Sequence, residues 1–138
     1  MYCCAAHAAA LNVKHIMNRS KLEAIFERHQ IDSYDEPWDA ENLNKQMADR
    51  DAIIHWVARY GVSEDLSTLI DAGASIDIRG DMGRTPLLEA VAFNKLENAK
   101  ILIQAGANVS AVDDFGDSIS DLVSEENGQL HELVRRVV

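Results

Sequence analysis

A 33-residue self-similarity constrains this chain more than any other feature of its sequence. Shifted by 33, Gly73 falls on Gly106, Ala72 on Ala105, Ala74 on Ala107 and Ile76 on Val109. Leu69-Ile70 falls on Leu102-Ile103, and Asp81 and Gly83 fall on Asp114 and Gly116. A period of this length belongs to architectures in which each unit buries its apolar side against the next.

The central copy, about residues 80–112, states the local chemistry most clearly. Thr85 is suited to cap a helix that Pro86 opens, and Leu87, Ala90 and Val91 then line one face. Asn94-Lys95 turns the chain, and Glu97 opens a second helix carrying Ala99, Ile101, Leu102 and Ile103. Gly106 supplies the left-handed residue that ends it. The period predicts helices over 86–93 and 97–105, then over 53–60, 64–72, 119–125 and 130–137.

The run Gly83-Arg84-Thr85-Pro86-Leu87-Leu88-Glu89-Ala90, followed by Leu102-Ile103-Gln104-Ala105-Gly106-Ala107-Asn108-Val109, resembles the ankyrin repeat. Leu88 stands where that family usually has histidine, and His55 keeps the histidine in the copy before. Ala52-Ile53 and Ser118-Ile119 replace Thr-Pro in the outer copies, and Asp121 replaces the histidine in the last, which reads as having one extra residue before Leu130. The resemblance implies an all-α ankyrin solenoid of about three units, 48–79, 80–112 and 113–138, the last a C-terminal cap. It also implies that the His55 ring hydrogen-bonds neighbouring backbone.

Upstream of Ala48 the residue-by-residue match is lost. Ser20-Lys21-Leu22-Glu23 reads as a capping box, with Leu22, Ile25, Phe26 and His29 on one face. A second short helix is expected from Asp39, with Leu43 and Met47 inward and a loop over 32–38 between the two. Residues 18–47 are therefore expected to form an N-terminal helical cap, with Trp38 and Trp56 in its contact. Residues 1–17, Ala-rich and without the pattern of a secretory signal, read as a disordered extension or an upstream start, Met17 being an alternative.

The net charge is −10, from 13 basic and 23 acidic side chains, which argues against nucleic acid or an anionic membrane as ligand and permits a basic protein. Cys3 and Cys4 are adjacent, match no metal or redox spacing, and fit a reducing cytoplasm. No histidine stands at metal-ligand spacing and no nucleophile or phosphate-loop motif is present. The expectation is a chain without catalytic residues, metal, cofactor or small-molecule substrate. Arg79-Gly80-Asp81 falls on a repeat finger and reads as chance.

In ankyrin proteins the finger tips and the exposed ends of the first helices bind partners. Carried over by register, this face comprises Asp49, Asp51, Arg59 and Tyr60; Asp81, Met82, Arg84 and Phe93; and Asp114, Phe115, Asp117, Glu125 and Glu126. Aromatic anchors among acids are the make-up of an interface centre. Six acids between Asp113 and Glu126, with no Lys or Arg among them, would steer a basic partner. A small stand-alone binder of this kind resembles bacterial ankyrin-type immunity proteins that block a toxin. A non-inhibitory adaptor is the alternative.

Overall fold

The computed structural model describes residues 19–29 and 43–138. After a helix over residues 19–28, α1, come α2 (Ile53–Tyr60), α3 (Ser63–Asp71), a 3-10 turn (Asp81–Gly83), α4 (Pro86–Ala92), α5 (Leu96–Gln104), α6 (Ile119–Leu122) and α7 (Gly128–Val137). The described residues contain no strand. The first helices of the units, α2, α4 and α6, pack in one row, and the second helices, α3, α5 and α7, pack in a parallel row. Leu66, Leu69, Leu87, Leu88, Ala99, Leu102, Ile119 and Leu130 fill the core between the rows.

The helix ends follow the local chemistry. Thr85 Oγ1 accepts the Leu88 N–H at 3.3 Å, and Pro86 follows it as the first helical residue of α4. Gly106 has φ +95°, and behind it Ala107 N–H donates to the Leu102 carbonyl and Gly106 N–H to that of Ile103. Gly73 repeats this at the end of α3, with Ala74 N–H on Leu69. Both closures satisfy carbonyls that a helix end leaves without partners.

Fingers of chain join the units, and their hydrogen bonds recur in phase. Met47 N–H donates to the Asp51 carbonyl, Gly80 N–H to Arg84 and Asp113 N–H to Asp117, each 33 residues after the last. Side chains tie each finger to the next. Gln46 Nε2 donates to the Arg50 and Arg79 carbonyls, both at 2.7 Å. One period later Arg79 NH1 donates to Gly83 at 2.9 Å and to Val112 at 2.6 Å. Asn44 Oδ1 accepts the Ser75 N–H, as Asp77 Oδ1 accepts that of Asn108. The period therefore continues upstream of Ala48, where side-chain identity had ceased to show it. A glutamine and an arginine make the same tie, since either long donor reaches the carbonyls.

Other local expectations change. The α1 helix is already under way at residue 19, so Ser20 lies inside it rather than capping it. Leu22, Ile25 and Phe26 are buried as expected. Leu43 is buried and Met47 packs on the core, but residues 43–47 hold a turn and no helix, and residues 39–42 of the expected helix lie outside the described residues. The loop over 32–38, Trp38 and residues 1–17 lie outside the described residues. The α6 helix stops at Leu122 instead of reaching residue 125. Val123 is extended, and Ser124 turns the chain by accepting the Glu126 N–H at its side chain and the Asn127 N–H at its carbonyl. The expected extra residue before Leu130 is instead one fewer: α7 begins 32 residues after α5, and buried Leu130 and Val134 take the places of Asn98 and Leu102.

Candidate partner-binding surface

The three units solve one helix-start problem in three ways, and this shapes the side of the stack that carries the fingers. His55 is fully buried; its Nδ1 accepts the Ala52 N–H at 2.9 Å. That leaves Nε2 as the protonated nitrogen, donating to the Ile78 carbonyl at 2.8 Å, with Arg84 O at 3.2 Å. The ring thus ties the start of α2 to the second finger. At the equivalent of His55 the central unit has buried Leu88, and its helix start is held by Thr85. In the last unit Asp121 Oδ2 accepts from both the Ser118 N–H and its hydroxyl.

Three residues expected at the surface are part of the scaffold. Asp51 is the first: contrary to expectation its carboxylate is buried, Oδ1 accepting the Asp81 N–H at 2.8 Å and Oδ2 the Arg59 NH2 at 2.8 Å. Arg59 is the second. Its Nε donates to Glu89 Oε2 at 2.8 Å, and only a ninth of its side chain is exposed. Arg84 is the third: it is largely covered and pairs with buried Asp113 at 3.4 Å. In each case a finger or helix-end position chosen by register faces a charge on another element.

The remaining expected residues are accessible. Asp49, Asp81, Asp114, Glu125 and Glu126 are exposed and Asp117 is half-buried. Phe115 is 72% exposed, Tyr60 52%, Phe93 40% and Met82 37%. Tyr60 and Phe93, one period apart, meet edge to face with centroids 5.5 Å apart, and Trp56 lies 5.2 Å from Tyr60. The Arg59 guanidinium carbon lies 5.4 Å from the Trp56 ring, 5.7 Å from Tyr60 and 5.4 Å from Phe93. Burial works against the Arg59 charge, but Glu89 and then Asp51 outweigh it and hold the guanidinium above its ordinary pKa. Because Arg59 reaches Asp51 at the root of the first finger, the ring cluster and the fingers form one continuous side.

The acidic stretch from Asp113 to Glu126 is divided in use. Asp113 Oδ1 accepts the Phe115 and Asp117 N–H groups at 2.9 Å, and Asp121 holds its helix start, so both are structural. Asp114 packs on Gly83, whose φ of +69° and close approach leave no room for a Cβ. It also meets Arg50 at 3.8 Å, so an exposed cation from the first finger reaches the third. Burial opposes the Asp113 charge, but the N–H groups of Asp117 and Phe115 and the Arg84 guanidinium overcome this and lower its pKa. With the native pKa depressed, the stabilisation is full above the unfolded value, 3.8, and is lost as pH falls through the folded one. Asp113→Asn is therefore expected to be less stable than the parent near neutral pH, with the gap narrowing in acid. Urea unfolding at about pH 7 and pH 3 checks this, and a gap that widens in acid contradicts it.

Several contributors lay outside the sequence reading. Glu89 is the only charge in Pro86-Leu-Leu-Glu-Ala-Val-Ala92, and a lone carboxylate in an apolar run is the signal of a buried ion pair. Asn98 Nδ2 donates to the carbonyls of Val57, Ala58 and Gly61 at the end of α2. One period earlier, Asp65 takes Arg28 at 3.0 Å at the end of α1, and His29 lies 3.4 Å from the same carboxylate.

The family model described as ankyrin repeats in three copies matches residues 6–113. The chain belongs to the ankyrin-repeat family, whose repeats are protein–protein interaction modules. Over 84 residues it is 34% identical to protein phosphatase 1 regulatory subunit 27 of Homo sapiens, covering 61% of this chain and 54% of that one. It is 35% identical over 74 residues to the ADP-ribosylation factor GTPase-activating protein AGD4 of Arabidopsis thaliana, covering 54% and 10%. An ankyrin repeat protein of fowlpox virus is 36% identical over 63 residues, covering 44% and 15%. The chain thus spans about half or less of the length of these relatives. Among the described residues no helix is long and apolar enough to cross a membrane.

Proposed function

We propose that this chain is a non-catalytic binder that occupies a basic partner protein through its fingers and the exposed side of α2 and α4. The observation that carries the reading is the exposed Tyr60–Phe93 pair bordered by the accessible acids Asp49, Asp81, Asp114 and Asp117. Exposed aromatics in contact across two repeats suit the anchors of an interface centre, and the acids suit a basic surface. The excess of acidic side chains supports a protein partner over nucleic acid or an anionic membrane. In this reading the chain works in the cytoplasm by blocking its partner, as an inhibitor or immunity-type protein. A relative named as a phosphatase regulatory subunit supports control by binding, and would equally suit an adaptor that recruits. Within the expected cap of residues 18–47, the described helix α1 closes one end of the stack in this reading, supported by the burial of Leu22, Ile25 and Phe26.

The test compares two faces in titrations against a partner recovered by affinity capture. Tyr60→Ala with Phe93→Ala is expected to lose about 2 kcal/mol or more per ring. Glu97→Ala with Lys100→Ala, on the row of second helices, is expected to leave affinity unchanged. Added salt is expected to slow association more than it speeds dissociation. The reverse ranking of the two pairs would place the partner on the other side of the stack. Loss of the partner's activity at a one-to-one ratio separates a blocker from an adaptor, which binds two proteins at once.

A further inference from the structure

Asp51, Arg59 and Glu89 form a buried network of two carboxylates and one guanidinium, an excess of one negative charge. Both Asp51 oxygens have donors, and Glu89 Oε2 has the Arg59 Nε–H. Glu89 Oε1 is buried and accepts no hydrogen bond from the described residues. A buried carboxylate oxygen without a donor is costly, and natural structures contain few. The same carboxylate holds, through Oε2, the Arg59 guanidinium that sits against the rings of Trp56, Tyr60 and Phe93.

From these observations we infer that the ring cluster over Glu89 is a slot for one arginine side chain of the partner. The inference rests on the binding face proposed above and names what that face grips. The acceptor without a donor, the excess negative charge and the flat rings together match a guanidinium, which is planar, permanently charged and able to stack while donating. Arg59 already shows that these rings accommodate such a group. Lysine fits less well, because its compact ammonium is strongly hydrated and does not stack. Tyr60, half exposed and in ring contact with Trp56 and Phe93, is the side chain that moves to admit it. Asp49 and Asp81 on the neighbouring fingers draw the incoming cation without needing to touch it.

The experiment titrates the isotope-labelled full chain with octaarginine and, in parallel, octalysine, following the Tyr60 and Phe93 signals and the Arg59 Nε–H. Octaarginine is expected to shift all three. Glu89→Gln is expected to weaken octaarginine at least about tenfold and to bring it level with octalysine, as truncating one side of a buried charge pair does. Asp114→Asn with Asp117→Asn is expected to weaken both peptides alike. If Glu89→Gln binds octaarginine as the parent does, with Tyr60 and Phe93 still shifting, the slot is wrong and the face stands. If neither ring shifts in the parent, the face fails and the slot with it. Should Glu89→Gln not fold, the parent decides: an Arg59 Nε–H that stays in place at saturating octaarginine overturns the slot, because that proton lies on the same carboxylate.

Discussion

Arg59→Met is expected to cost about 3–5 kcal/mol, since it leaves buried carboxylates without their cation. Asp51 and Glu89 are each almost wholly covered, and Arg59 is the side-chain cation both of them hold. Methionine keeps most of the apolar stem against Trp56, Tyr60 and Phe93, so the loss measures charge more than packing. Arg59→Lys should recover only part of it, because one ammonium cannot reproduce the forked donation of Nε and NH2 to two carboxylates. Arg59→Met combined with Glu89→Met should recover more, because it also removes one buried charge. Equilibrium urea unfolding measures all three. A single substitution costing under about 1 kcal/mol would show that the network is open to water in solution.

His55→Leu is the second large effect, expected at about 2–4 kcal/mol. Leucine fits the site sterically, as Leu88 does one unit later, but Ala52 lacks a hydroxyl to take over the role that Thr85 plays beside Leu88. The fully buried Ala52 N–H loses its acceptor and the Ile78 carbonyl loses its donor. Hydrogen exchange gives the local signature: faster exchange at Ala52 and through Asp81–Arg84, with α5 and α7 little changed. Uniform acceleration over the whole stack would contradict a tie confined to one finger.

The contrast between Leu88 and Glu89 shows what the sequence could and could not convey. Phase and the helix ends of the central unit were legible, because Thr85, Pro86 and Gly106 act on backbone within a few residues. The histidine at position 55 was legible through family resemblance. Asp51, Arg59 and Arg84 were misplaced on the surface because register gives a position along the chain, not the charge that faces it from another element: Arg59 for Asp51, Glu89 for Arg59 and Asp113 for Arg84. The continuation of the period above Ala48 was hidden for a related reason. Its ties end on carbonyl oxygens, which every residue has, and begin on any side chain long enough to reach. Tyr60 and Phe93 were recognisable as exposed rings, but their junction with Arg59 depends on three-dimensional contact alone.

The tie from Gln46 to Arg79, repeated from Arg79 to Val112, has a bearing on how such a chain changes length. Each link reaches forward by one full unit and lands on main chain. A tandem duplication of residues 52–84 would therefore place every incoming carbonyl in front of a donor already suited to it, at the cost of one new peptide junction, Arg84 to Ala52. An insert of any other length would leave the fingers on either side out of step. Lengthening by whole units widens the row of finger tips, so the breadth of the surface offered to a partner is free to vary in steps while the main-chain ties between neighbouring fingers stay the same.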